Sequence, residues 1–312
     1  MNRFAYRISP TAPYDFALTV GSMTYFQARH AADMYENGEY RRVLTLDGAP
    51  VLVSVPAVHS EDTPELVVDV IGENLSETGA YDALRVVRRM LSTDANISAF
   101  YAMALDDPHL APLVRNMRGL RPTCAPTAYE ALVLAILGQQ ISTHVARMLR
   151  NLIIETYGER ILIDGETLRA FPRPQALADA GVDGLRAIKF SRRKAEYISS
   201  ISERIAAGEL SLEAMRDMPD DEIVGGLMAL RGVGAWTAHW MLIRAFGRQD
   251  GFPHGDLALQ RMMGVMVGDG APMPADEALA YSERWSPWRS WVTAYMFGAG
   301  RTGRFAEIVA GE

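Results

Sequence analysis

Asp256 sits where a loop rich in glycine and proline meets an apolar helical stretch, in GRQDGFPHGDLALQRMMG (247–264). A carboxylate fixed there can stabilise a developing cation and can take a proton from an attacking water. The same place is also a favoured helix N-cap, so catalysis and capping are both open readings. Asp250 and His254 share the loop. Turn formation and solvation account for both, and His254 is also a candidate for orienting water. Cys124 is the single cysteine, which excludes an internal disulfide, a thiolate-held iron–sulfur cluster and an all-cysteine zinc site. It reads as a partly buried thiol without a role. Lysine occurs only at 189 and 194, so residues 195–312 hold no amine that could act as a nucleophile.

A second chemical feature lies upstream, in LRGVGAWTAHW (230–240). Gly232 and Gly234 interrupt a helical pattern, and Val233 between them is placed to anchor the turn in the core. Glycine can take positive φ and lets a phosphate approach the backbone. The helix that restarts near Gly234 and Ala235 begins with unpaired N–H groups at its positive end, which together form an anion site. Helix, Gly-Val-Gly turn and helix (220–246) thus have the physical design of a clamp on DNA backbone, although a tight turn with no ligand has the same sequence form.

The net charge of −7 argues mildly against nucleic acid. The backbone amides of the hairpin soften that objection, because the local surface matters more than the average. RAIKFSRRK (186–194) carries five cations and no acid, a pattern usual for a solvated helix face. The N-terminal sequence shows no secretory leader, and no apolar run approaches the ~18–20 residues of a membrane span, which together predict a cytoplasmic protein.

The elements that must position these residues fall into two regions. Residues 1–92 read as a small α+β domain. It has a helix over 27–38, a hairpin over 39–58 turning at Asp47-Gly48, a strand over 65–72 and a helix over 81–92. Residues 93–312 read as almost entirely helical, with next to no strand signal. Thr127 and Glu130 have capping-box spacing at the start of 127–158, a helix that breaks near Gly138 and resumes after Ser142. Further helices are predicted over 211–218, 220–230, 236–246, 274–285 and 286–300. Trp285, Trp288 and Trp291 read as core aromatics, whereas Trp236 stands at the hairpin exit.

A hairpin followed after about twenty residues by a carboxylate at a helix start resembles the helix-hairpin-helix DNA glycosylase superfamily. There a Leu-Pro-Gly-Val-Gly hairpin precedes an essential aspartate; here the hairpin is LRGVG, with Arg231 in place of proline, and the aspartate is Asp256. Bifunctional members carry a lysine where Trp236 stands. A tryptophan there is similar to the alkylation-repair branch, the bacterial DNA-3-methyladenine glycosylase II type. PYDFALTVGSMTYFQAR (13–29), GEYRRVLTL (38–46), ILGQQIS (136–142), SRRKAEYI (191–198) and SERWSPWRSW (282–291) resemble that branch too.

The resemblance implies a mainly α fold, a glycosylase core of two helical lobes with a small N-terminal α+β domain built on an antiparallel sheet. It implies Asp256 as catalyst, and Trp236, Trp240 and Phe297 around the base. Gln140 would fill the gap in the base stack. Gln139, Arg231, Gly232, Val233, Gly234 and Ala235 would lie on DNA. Backbone carbonyls of Met228, Leu230 and Val233 would hold a structural Na+ or K+, with no cofactor for the chemistry. Trp240, Phe297, Ser22 and Gln140 depart from the tyrosine, tryptophan, phenylalanine and leucine of the best-known relative. The function implied is that of a monofunctional glycosylase, acting as a monomer on double-stranded DNA with alkylated purines. The competing readings are a non-catalytic damage-binding module, against which Asp256 and the aromatics placed around it favour the enzyme, and a lyase-competent glycosylase, which the missing lysine disfavours.

Overall fold

The computed structural model describes residues 1–30, 32–56 and 62–311. Strands β1 (Asn2–Ile8), β2 (Arg29–His30), β3 (Asp33–Glu36), β4 (Glu39–Leu46), β5 (Ala49–Pro56) and β6 (Leu66–Gly72) form one antiparallel sheet in the order β1-β6-β5-β4-β3-β2. Helices α1 (Phe16–Met23) and α2 (Glu77–Met90) pack on it over a core of Val20, Tyr40, Val53, Val68, Ala83 and Val87.

Two helical lobes complete the chain. One gathers α3 (Ser98–Asp106), α4 (Ala111–Asn116), α11 (Leu257–Val267), α12 (Ala275–Ser282), α13 (Arg289–Arg301) and α14 (Phe305–Ala310) around Phe100, Leu113, Met263 and Trp285. The other comprises α5 (Ala128–Gly138), α6 (Thr143–Tyr157), α7 (Pro174–Ala187), α8 (Arg192–Ala206), α9 (Asp220–Met228) and α10 (Ala235–Arg244), around Leu132, Ile153, Ile198, Leu227 and Met241. The expected mainly α fold with a small antiparallel sheet is therefore present. Trp285 and Trp291 are buried in the first lobe, Trp288 packs at its edge, and Cys124 is buried.

Three expectations require correction. Residues 27–38 are not a helix: β2 and β3 occupy this stretch, with Ala31 outside the described residues. Asn37 and Gly38 at positive φ turn the chain into β4, and cross-strand pairing sets Asp33 opposite Arg42, so tertiary pairing overrides a weak local preference. The predicted hairpin is present as β4 and β5; its last residues, 57 and 58, lie outside the described residues. Secondly, the helical region does hold strands, β7 (Arg160–Ile163) and β8 (Glu166–Arg169), joined at Asp164-Gly165 with both φ positive. Ile161 and Leu168 pack against Val43 and Leu52 of the large sheet. Thirdly, 211–218 forms only a 3-10 turn, Glu213–Asp217, capped by Ser211 through the Ala214 N–H.

The capping box at α5 is half formed. Thr127 Oγ1 accepts the Glu130 N–H at 3.1 Å, but the Glu130 carboxylate turns away from the helix start. It pairs with buried Arg42, which also donates to Asp33 at 2.6 Å; Tyr40 donates to the same Asp33 oxygen. This buried cluster ties the sheet to the helix that leads to Gln139 and Gln140.

Candidate active site

Helices α9 and α10 form a hairpin whose turn is Ala229–Gly234. Gly232 takes φ +90, and a Cβ there would fall inside the Tyr197 ring. Gly232 therefore serves two ends, the turn conformation and close packing on α8. Gly234, the N-cap of α10, is different: its φ of −103 suits any residue, and a Cβ would meet no protein atom. Gly234 and Ala235 are exposed, whereas Val233 is buried and pins the turn in the core. The first-turn N–H groups of α10, which have no intrahelical acceptor, thus open onto an unobstructed surface. Arg231 lies beside them, exposed, paired with Glu196 at 3.2 Å and stacked over Tyr197.

Gln139 is placed against the hairpin rather than outward. Its Nε2 donates to the Gly232 carbonyl and to Thr237 Oγ1, both at 3.0 Å. Gln140 follows at φ +55 with its side chain exposed.

Downstream, the two carboxylate oxygens of Asp256 face different partners. Oδ1 caps α11, accepting the N–H groups of Ala258 at 2.9 Å and Leu259 at 3.1 Å. Oδ2 faces the hairpin and accepts the indole N–H of Trp236 at 2.9 Å and of Trp240 at 3.4 Å. The two tryptophans stand one helical turn apart on α10, edge to face at 6.2 Å. Trp240 continues onto Phe297 of α13 at 5.3 Å. The half-buried rings of Trp236, Trp240 and Phe297 form one aromatic wall with the carboxylate at its end.

The neighbouring loop residues are accounted for by structure. Burial opposes the charge on Asp250, but bonds from Arg289 and Ser286 outweigh this and hold its pKa below the ordinary value. His254 packs edge to face on His239 at 5.8 Å, and its carbonyl accepts from Gln260. Burial first, then His254 and Arg289, lower the pKa of His239.

Ser22 does not line the wall. It is buried, and its carbonyl and hydroxyl accept from Arg301 at 2.8 and 3.2 Å. The aromatic residue that the N-terminal unit brings near the wall is Tyr25, which sequence reasoning missed. Tyr25 and Phe26 both adopt positive φ after α1. The Arg301 guanidinium lies 4.3 Å from the Tyr25 ring centre and 5.8 Å from that of Phe297. Arg301 first, then Arg150 and Arg244, outweigh burial and pull the Tyr25 phenol down to about 8. Its only sequence signal was its place within the 13–29 stretch.

Residues 133–287 match the model of the HhH-GPD superfamily base excision DNA repair proteins, and residues 5–126 match the AlkA N-terminal domain. The chain belongs to this helix-hairpin-helix superfamily. It is 28% identical over 264 residues to a DNA-3-methyladenine glycosylase of Bacillus subtilis, covering 84% of this chain and 86% of that one. It is 27% identical over 304 residues to DNA-3-methyladenine glycosylase 2 of Escherichia coli, covering 94% and 96%. The solved structure of a 3-methyladenine DNA glycosylase from Archaeoglobus fulgidus superposes with a TM-score of 0.85 at 27% identity, covering 95% of this chain and 98% of that one. The hairpin and Asp256 both lie within the matched residues 133–287. Among the described residues no helix is long and apolar enough to cross a membrane.

Proposed function

We propose that this chain is a monofunctional DNA glycosylase that releases alkylated purines of the 3-methyladenine and 7-methylguanine type from double-stranded DNA. The observation that carries the reading is the junction of Asp256 with Trp236 and Trp240 beside an open helix N-terminus. It joins a charge, an aromatic wall and a phosphate-binding turn in one place. The family membership and the 3-methyladenine glycosylase relatives support the same activity.

The glycosidic carbon is shielded inside a duplex, so the nucleotide must first be turned out, with Gln140 filling the space it leaves. The first turn of α10 holds backbone phosphate. The aromatic wall receives the base, and an alkylated purine, being cationic, gains ~0.5 to 2 kcal/mol on such a face. As the bond from C1′ to the purine nitrogen breaks, its electron pair passes to the base and cancels the base's charge. The sugar takes up the positive charge. Asp256, ionised, stabilises that sugar and takes the proton of the water that adds to C1′. The indole N–H groups hold the carboxylate toward the wall, while the cap fixes its other oxygen to the frame of α11.

The turn also suits an alkali cation, because backbone oxygens are the hard donors such ions take. The Leu230 carbonyl accepts the Val233 N–H at 3.1 Å, which closes the turn and leaves a second lone pair. We assign Met228, Leu230 and Val233 to Na+ or K+, which would add positive charge beside the phosphate. The deciding experiment is release of free base from methylated DNA by the purified protein. Release of 3-methyladenine and 7-methylguanine is expected; binding to damaged duplex without release would make the protein a damage sensor.

A further inference from the structure

Lys194 is one of only two lysines, and its ammonium points inward. Nζ donates to the carbonyls of Leu137 at 2.7 Å and Gln139 at 2.8 Å. These lie at the C-terminal end of α5, where the last carbonyls lack helix partners and the helix dipole is negative. Its neighbours in the basic run behave otherwise: Arg192 pairs with Glu196 and Arg193 reaches the Tyr197 hydroxyl, both on the exposed face of α8. The solvated-face reading therefore fits the run but not Lys194, which is half-buried, with its pKa lowered by burial.

The residue that Lys194 holds is bound at its other end. Gln139 gives its backbone carbonyl to Lys194 and its side-chain amide to Gly232 and Thr237. One residue thus links α8, the end of α5 and the hairpin. The next residue, Gln140, is exposed at positive φ, which a non-glycine side chain keeps only where its surroundings impose it.

We propose that Lys194 is a positioning residue for base eversion: by clasping the Leu137 and Gln139 carbonyls it locks the Gln139–Gln140 turn to the DNA-gripping hairpin, so that Gln140 enters the base stack in fixed register with the clamp. This rests on the glycosylase reading above. Without the ammonium, two helix-end carbonyls lose their donor, and the turn, no longer tied to α8 and held to the hairpin by the Gln139 amide, samples other conformations. Phosphate binding by the first turn of α10 does not depend on Lys194, so grip and eversion separate.

The test is a double-mutant cycle on Lys194→Met and Gln140→Ala, read by single-turnover excision of 7-methylguanine, with affinity for undamaged duplex measured alongside. Lys194→Met should slow excision by about tenfold, the order set by hydrogen bonds to a charged group, and change duplex affinity by less than about twofold. On the Gln140→Ala background it should slow excision little further, because its effect passes through Gln140. Lys194→Arg should recover part of the rate, since it restores charge and donors in a different geometry. Should Lys194→Met fail to fold, Lys194→Gln, which keeps one donor group, enters the same cycle. Wild-type excision by the Lys194 variant, full activity of Gln140→Ala, or equal slowing on both backgrounds would each overturn the proposal. Failure of the wild-type protein to release base would instead overturn the glycosylase reading.

Discussion

Trp236 Nε1 lies 2.9 Å from Asp256 Oδ2, on the opposite side of the carboxylate from the two backbone N–H groups that Oδ1 caps. The tryptophan, proposed above as a wall for the base, therefore also orients the carboxylate. Trp236→Phe keeps an aromatic face and removes the donor. Excision of 7-methylguanine should fall by about tenfold, the order of a lost bond to a charged group. Trp240→Phe, whose bond is longer at 3.4 Å, should cost less. Single-turnover rates at saturating enzyme check the ranking; a larger loss at Trp240 would make its ring, rather than its N–H, the dominant feature.

The two hairpin glycines should respond differently. Gly232→Ala meets the Tyr197 ring and a positive φ, so it should lower thermal stability. Gly234→Leu meets no protein atom and an ordinary φ, so the fold should survive. Its side chain would occupy the space a phosphate needs. Affinity for damaged and undamaged duplex should then drop together by about tenfold, as expected when charge-assisted backbone contacts are lost. Unchanged affinity in a folded Gly234→Leu protein, measured by fluorescence anisotropy, would remove the clamp.

Much of this site was legible in the sequence because it is local. The Gly-Val-Gly turn and the carboxylate at a helix start lie within 25 residues of chain, and each has its own chemical signature. Glu130 shows the limit: its spacing from Thr127 promised a reciprocal cap, but its carboxylate is drawn 88 residues away to buried Arg42. Tyr25 was hidden for the same reason, since three arginines from separate helices create its environment. The strand pair at 160–169 carries a weaker form of the signal that identified the hairpin at Asp47-Gly48: Asp164-Gly165 is the same turn dipeptide after an apolar run, but polar Glu166 and Thr167 follow it.

Absence of an amine at the hairpin exit has a direct chemical consequence. Lys194 is committed to two carbonyls, and Trp236 occupies the exit. Base release should therefore leave the strand intact until heat or alkali is applied, and borohydride should trap no protein–DNA adduct. A trapped adduct would establish a Schiff base and a lyase activity.

Tyr25 should titrate in the neutral-to-alkaline range. Its folded pKa of about 8 lies below the ordinary 10.0, because Arg301 leads the arginines that favour the phenolate. A depressed acid adds stability that is fully present above the unfolded value and is lost as pH falls through the folded one. Relative to Tyr25→Phe, the wild-type protein should thus gain stability between pH 8 and 10, seen in denaturant midpoints. One tyrosinate absorbance step near pH 8 should vanish in the variant. An identical pH dependence in both proteins would place Tyr25 outside the field of Arg301.

Asp256→Asn separates the cap from the catalyst, and the geometry shows what control it needs. Asparagine caps helices about as well as aspartate, so the bond to Ala258 and Leu259 can survive. Its amide nitrogen would then face the Trp236 and Trp240 indole donors, N–H against N–H; flipping the amide only moves the conflict to the cap. A stability loss of about 1–3 kcal/mol is expected from the unsatisfied groups. Excision should fall by at least ~100-fold, because a neutral side chain neither stabilises a cationic sugar nor takes a proton from water. The loss should be smaller for a charged alkylpurine than for a neutral base, which departs less readily unaided. In a Trp236→Phe background the donor conflict is largely relieved, so Asp256→Asn should cost little further stability there. The fall in excision should persist in that background. A double variant that regains the Trp236→Phe rate would reduce Asp256 to an N-cap, with the loss in the single variant caused by misfolding of the wall.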